Sequence, residues 1–310
     1  MRIIFFGSDD FAAVHLRQLL DSSFKIVACV TQPDRPKGRG MKVVESPIKA
    51  LALSHNIPLF QPETLKDKEF IDELFVFQAD IFVVVAYGKI LPEAVLTIPK
   101  IFCVNVHGSL LPKYRGAAPI NWAVINGDDH TGVTVMKMSP ILDAGEIIFQ
   151  ATMAIAQEDT VVSLRLRMAQ LGAVTLLEAL DQIKRKTFTL TRQDLSKVSY
   201  ASKLNKELGH VDWRDPAIKI ANLVRGLQPW PGVTAVFKSK KFKILSSRVV
   251  PGDPAVVPPG AILDINREGI VVATGHQSLL IRQVQPESGK PMEARSFASG
   301  QKLSNTCKFD

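Results

Sequence analysis

The sequence has little cysteine: three residues in 310, at Cys29, Cys103 and Cys307. They are odd in number, scattered, and in no C-x-x-C or metal-ligand spacing, so neither a disulfide framework nor a structural zinc site is expected. No run approaches the roughly 18 uninterrupted apolar residues that a membrane-spanning helix needs. The N-terminus, MRIIFFGSDD, offers a single basic residue and four apolar ones before glycine and two acids. That is too short for a signal-peptide core and reads as a first strand. The expected location is the cytoplasm, with reduced thiols. Phosphate-cradling glycine motifs are also missing. The first strand-to-helix turn, FFGSDDFAAVHL, carries one glycine where a dinucleotide site needs G-x-G-x-x-G, and no GxxxxGK[ST] occurs. A nucleotide cofactor is therefore disfavoured. There is no internal repeat and no low-complexity tract.

What is present describes a soluble globular chain, 46% hydrophobic and 22% charged. Its length exceeds one ordinary core and predicts two domains. The net charge of +8 is unevenly placed. Residues 1–183 hold 17 basic and 20 acidic side chains, residues 184–225 hold 10 and 4, and residues 226–310 hold 11 and 6. A polyanion touching the second half while chemistry occurs in the first accounts for this split. A basic domain that binds nothing in particular would show it too.

The first part alternates strand and helix signals. RIIFFG (2–7) is an apolar run closed by glycine, and DDFAAVHLRQLLDS (9–22) has helical spacing with acids in its first turn. KIVACVTQ (25–32) reads as a strand, and SPIKALALSHN (46–56) as a helix with Ser46 at the N-cap and Pro47 next. A helix over 66–78, a strand over 79–87 that is apolar on both faces, and a strand over 102–108 follow. Strands buried on both faces and separated by helices predict a doubly wound, Rossmann-like, mostly parallel sheet, with ligands beyond the carboxyl ends of its strands. After strands at 131–138 and 146–155 comes a long helix over 160–185, then a polar segment that reads as a linker. A helix over 216–228 ends at Pro229-Trp230-Pro231-Gly232, and the short strands beyond it predict a small antiparallel barrel of OB type. The expected domains are 1–185, a basic linker 186–207, and 208–310.

Within FCVNVHGSLLPKYRG (102–116), Asn105 and His107 share one strand face, by the period of two, and the strand ends on the ligand side. Asp143, in the turn SPILDAGEII, supplies a carboxylate. An amide donor, a titratable base and a carboxylate suit acyl transfer to an amine. The amide and imidazolium would stabilise a tetrahedral oxyanion, and the carboxylate would orient and charge the histidine. No serine or cysteine is paired to His107 as a nucleophile, which favours direct transfer over an acyl-enzyme. Separately, TQPDRPKGRGMKVVESP (31–47) sets Arg35, Lys37, Arg39 and Lys42 among prolines and glycines on an expected exposed loop, fit to capture phosphates or else only to be solvated.

HGSLLPKYRGAAPI resembles the HxSLLPxxRG signature of the 10-formyltetrahydrofolate-dependent formyltransferase family. The blocks FGSDDFA, TQPDRPKGRG, SPIKALA, FQPETL, VVVAYGKILP, VNVHGSLLP, GVTVMKM, LDAGEII, YASKL, VDW and QPWPG resemble, in order, the branch that formylates methionyl-tRNA. The resemblance covers most of residues 2–232. It implies transfer of a formyl group from 10-formyltetrahydrofolate to the α-amine of initiator methionyl-tRNA, by a metal-free, expectedly monomeric enzyme. Asn105, His107 and Asp143 fall on the family's catalytic positions. Ser109, Leu110, Leu111 and Pro112 fall on its folate-binding stretch, with Val85 to Leu91 on the pterin side. Arg35, Lys37, Arg39 and Lys42 fall on the loop that engages the tRNA acceptor arm, with Arg39 foremost, and the basic linker and barrel on its tRNA-contacting part. The family more often has glycine where Ile141 stands, and Ser139-Pro140 is unusual, so the Asp143 turn is expected to be differently shaped. Formylation of a small amine, hydrolysis of formyl-folate, and RNA binding without catalysis are the competing readings. The tail QKLSNTCKFD carries no assignment.

Overall fold

The computed structural model describes residues 1–37, 42–252 and 257–310. Its contacts divide the chain into two units. One comprises residues 1–119, 130–154 and 165–201, the other residues 120–129, 155–164 and 202–310.

The first unit begins with β1 (Arg2–Gly7), α1 (Asp10–Leu20), β2 (Lys25–Val30) and the short strands β3 (Arg35–Lys37) and β4 (Lys42–Val44). Next come α2 (Pro47–Ser54), β5 (Leu59–Phe60), α3 (Lys68–Val76), β6 (Ile81–Val85), α4 (Glu93–Leu96), β7 (Phe102–His107) and β8 (Arg115–Gly116). After α5 (Pro119–Ile125), whose residues from Ile120 on group with the second unit, the chain continues through β9 (His130–Lys137), β10 (Ile147–Ala154), α6 (Val161–Arg185) and β11 (Tyr200–Ala201). The main sheet has the order β10-β9-β7-β6-β1-β2-β5. Pairings from β7 across to β5 are parallel, and those of β9 with β7 and β10 are antiparallel. The expected mostly parallel, doubly wound sheet is therefore present, with an antiparallel edge.

Local chemistry explains the elements. All five residues of β6, IFVVV, are buried, as befits a central strand covered on both faces. The Asp9 carboxylate accepts from the amide of Ala12 at the start of α1, the Ser46 hydroxyl does the same for Lys49 in α2, and Pro47 occupies the first helical position. Strands β3 and β4 pair as an antiparallel hairpin within what reads in sequence as an irregular loop. The segment 186–207, expected as a linker, is largely fastened to this unit. Thr191 exchanges backbone bonds with Ile147, and β11 pairs in parallel with β8.

In the second unit, α7 (Ala217–Gly226) precedes β12 (Val233–Phe237), β13 (Lys240–Val250), β14 (Ile262–Ile265), β15 (Ile270–Ala273), β16 (Ser278–Pro286), β17 (Met292–Glu293) and α8 (Ala294–Gln301). The antiparallel sheet runs β12-β13-β16-β15-β14, with β17 also paired to β16. Residues 120–129 and 155–164 join this unit through specific bonds: Asn121 Nδ2 donates to the Gly226 carbonyl at 2.8 Å, and Arg225 donates to the carbonyls of Ala156 and Asp159. The unassigned tail is part of the core. Phe309 is fully buried, stacks on Trp213 and meets Phe237 edge-on, while its amide donates to Gly260 and that of Asp310 to Val236.

Candidate active site

Asn105 and His107 lie where the alternation of β7 places them, between parallel β6 and antiparallel β9. Asn105 Nδ2 donates to the Val84 carbonyl at 3.1 Å, which fixes the amide against the neighbouring strand. His107 is 7% exposed. Its Nε2 lies 2.9 Å from the Tyr114 carbonyl. A carbonyl can only accept, so Nε2 carries hydrogen there. The other nitrogen, Nδ1, faces Asp143 Oδ1 at 3.7 Å. The second carboxylate oxygen of Asp143 accepts from the Gly116 amide at 2.8 Å. The end of β7, the loop after it and the turn after β9 thus converge on one imidazole.

The turn that presents Asp143 is held by backbone geometry. Asp143 has φ of 50°, a left-handed conformation that aspartate tolerates better than most residues. At Gly145 a Cβ would stand 1.7 Å from the Lys137 carbonyl oxygen, so only glycine admits the close approach of turn to β9. Ile141 and Leu142, just before Asp143, are exposed. The Ile141-bearing sequence still delivers Asp143 to His107.

The SLLP stretch is a braced loop. Thr134 Oγ1 donates to the Ser109 carbonyl at 2.7 Å and accepts from the Leu111 amide at 3.0 Å. Gln150 Nε2 donates to the Leu111 carbonyl and to Thr134 Oγ1. Ser109 is fully buried and its hydroxyl donates to the Lys113 carbonyl at 2.6 Å, so this side chain shapes the loop from within and does not face solvent. Leu111 is buried as well, whereas Leu110 and Pro112 are half-buried. In the stretch from Val85 to Leu91, Val85, Tyr87 and Leu91 are buried and Ile90 is exposed. Burial pushes the Tyr87 phenol up to about 12.

Sequence reasoning passes over several residues that organise this site. Arg115, within the quoted motif but given no role, is buried and donates from Nε and Nη2 to Gln193 Oε1 at 3.0 and 2.7 Å. Gln193 in turn donates from Nε2 to the carbonyls of Asp143 and Gly145. The Ser199 hydroxyl accepts from the Tyr114 amide at 2.9 Å. Gln193 and Ser199 lie in a polar segment without periodicity, and their only sequence signal is proximity to YASKL.

Four side chains were expected on a tRNA loop. Arg35 is exposed and lies 3.7 Å from Glu63. Lys37 ends β3 and Lys42 begins β4. Arg39 lies outside the described residues. Among the described residues no group of three or more His, Cys, Asp and Glu side chains is placed to hold a metal.

Chemically, the arrangement offers an amide, an imidazole and a carboxylate, without a side-chain nucleophile in their midst. The Ser109 hydroxyl points away, and burial raises the thiol of Cys103 on β7 far above neutrality and that of Cys29 to about 12. The set supports proton handling and oxyanion stabilisation in a direct transfer.

Comparison with known proteins bears on what is transferred. The family described as Formyl transferase matches residues 1–180, and Formyl transferase, C-terminal domain matches residues 203–302. The methionyl-tRNA formyltransferase of Caldanaerobacter subterraneus subsp. tengcongensis is 42% identical over 306 residues, 98% of each chain. That of Trichlorobacter lovleyi is 45% identical over 302 residues, 97% of this chain and 95% of its own. Among solved structures, HypX from Aquifex aeolicus in complex with tetrahydrofolic acid superposes with a TM-score of 0.63 at 17% identity, over 96% of this chain. The chain spans about half the length of HypX, 47%, and the likeness is one of fold.

Proposed function

The chain belongs to the formyl transferase family, and from that premise we infer that it transfers a formyl group from 10-formyltetrahydrofolate to the α-amino group of methionyl-tRNA, in translation initiation. The observation that carries this reading is identity to methionyl-tRNA formyltransferases over both units. A match confined to the first unit would leave the acceptor open.

The residues divide the work. The neutral methionyl amine attacks the formyl carbon, a C–N bond forms, and the bond from that carbon to N10 breaks. The amine loses one proton and the departing folate nitrogen gains one. Negative charge gathers on the formyl oxygen in between. Asn105 retains one amide hydrogen beyond the one given to Val84, and His107 carries hydrogen at Nε2. Hydrogen bonds to a charged acceptor are roughly twice as strong as those to a neutral one, so an oxyanion competes well against the Tyr114 carbonyl for that proton. Asp143, itself held by Gly116, keeps the ring in plane.

The braced Ser109-Leu110-Leu111-Pro112 loop would shape the folate site, with Leu110 and Pro112 as its accessible apolar surface. Arg35, Lys37, Arg39 and Lys42 would contact the acceptor arm, and the basic residues of 186–207 and of 208–310 the rest of the tRNA, as long polyanions are met by clustered cations. No helix among the described residues is long and apolar enough to cross a membrane. We place the enzyme in the cytoplasm, as a monomer. The test is direct: purified protein, 10-formyltetrahydrofolate and charged initiator tRNA should give formylmethionyl-tRNA. Formylation of free methionine at a comparable kcat/KM would refute the assignment of the acceptor.

A further inference from the structure

Gln193 is separated by 50 residues from Asp143, yet its side chain links the catalytic turn to the catalytic loop. The orientation of its carboxamide is unambiguous. Arg115 is purely a donor and gives two hydrogens to one atom, which must therefore be Oε1. The NH2 end is left for the carbonyls of Asp143 at 2.9 Å and Gly145 at 2.7 Å. Arg115 and Gln193 are both buried, while the polar partners of the His107 ring are the Tyr114 carbonyl and the Asp143 carboxylate. Arg115 is itself fixed at the backbone, where its amide donates to the Ser199 carbonyl and β8 pairs with β11. One end of this bridge is the backbone that follows Tyr114, acceptor for His107 Nε2. The other is the backbone that bears the carboxylate facing Nδ1.

We propose that Gln193 is a positioning residue for formyl transfer, which acts through Asp143: its amide, oriented by Arg115, sets the distance between the Asp143 turn and the His107 loop. This rests on the formyl-transfer reading above. A displacement of about 1 Å in a positioned group lowers a rate about 100-fold, and loss of a supporting partner around a ligating side chain lowers function about 10- to 100-fold.

The test is Q193E, which preserves shape and the bond from Arg115 but sets an acceptor oxygen against two carbonyl oxygens. Wild type must first formylate methionyl-tRNA. If it does not, the functional reading fails, whatever the variant does. Given an active wild type, Q193E should lower kcat about 10- to 100-fold, with KM for 10-formyltetrahydrofolate and for the tRNA within about twofold. In a D143N background the same substitution should lower kcat less than about twofold further, because both changes act on one interaction. Q193A, which removes the amide without adding charge, is measured in parallel with circular dichroism to confirm folding, and should repeat the pattern. Unchanged kcat in a folded variant would overturn the proposal. So would a full multiplicative loss on top of D143N, or a loss confined to KM.

Discussion

The end of β7 and the β3–β4 hairpin belong to the same unit, and both carry residues proposed to function, but they are built oppositely. Around the end of β7 each candidate side chain has an anchor: Asn105 to Val84, His107 to Tyr114, and Asp143, from the turn after β9, to Gly116. At the hairpin, Arg35 is solvent-exposed and meets Glu63 at 3.7 Å between two well-exposed side chains, a pairing worth at most about 1 kcal/mol. The difference fits the tasks proposed for them. Stabilising an oxyanion requires donors held in advance, because reorganisation during the reaction would consume the gain. Capturing a polyanion requires charge and reach, and rigidity adds little.

That contrast can be broken from the pinned side first. His107→Ala should lower kcat about 1,000-fold, by the scale of a lost oxyanion or proton-transfer group, while the protein keeps its folate affinity. A rate within threefold of wild type would remove His107 from the chemistry.

A second effect concerns the support behind the strand. His15 on α1 is fully buried, with Nδ1 bonded to the Phe11 carbonyl at 2.8 Å, and a Cβ at Gly172 would stand 2.6 Å from its Nε2. Burial lowers the imidazole from 6.5 to about 4. The unfolded chain therefore takes up this proton at a higher pH than the folded one. Stability should be unaffected above about pH 6.5 and fall by about 3 kcal/mol as the pH drops to about 4. Urea unfolding of wild type and His15→Gln between pH 7 and 4 reads this difference, and equal slopes would contradict it.

Gly145→Ala comes next. Its new Cβ must move away from the Lys137 carbonyl, displacing Asp143, and kcat should fall about 100-fold while tRNA affinity is unchanged. The smallest effect is expected at Arg39, between Lys37 and Lys42 in the sequence. Arg39→Ala should raise KM for tRNA about tenfold, leave folate affinity intact, and flatten the dependence of KM on salt by about one phosphate contact. A kcat defect with unchanged salt dependence would show that Arg39 serves the chemistry and not capture.

Legibility in the sequence followed the same divide between periodic and aperiodic segments. IFVVV reads as a buried parallel strand because burial on both faces leaves no polar position, and N-V-H reads as a strand end because alternation survives up to Gly108. Asp143 was reached through its residue type and a family resemblance. Nothing local indicates that its turn folds back on His107. Gln193 sits in a polar run and its own side-chain bonds are all to residues distant in sequence, and Phe309 is an isolated aromatic in a mostly polar tail, so periodicity had nothing to register at either. The grouping of residues 120–129 and 155–164 with the second unit was hidden for the same reason, since it depends on bonds such as Asn121 to Gly226, 105 residues apart.

On the proposed function, the formyl group ends on the methionyl amine of a tRNA. Single-turnover transfer from 10-formyltetrahydrofolate carrying a labelled formyl group, with initiator methionyl-tRNA and purified protein, measures this directly. The label should appear as formylmethionine, released from the tRNA by mild base, and should do so about 1,000-fold more slowly with His107→Ala. Label recovered as formate, or none transferred at saturating tRNA, would rule out formyl transfer to methionyl-tRNA.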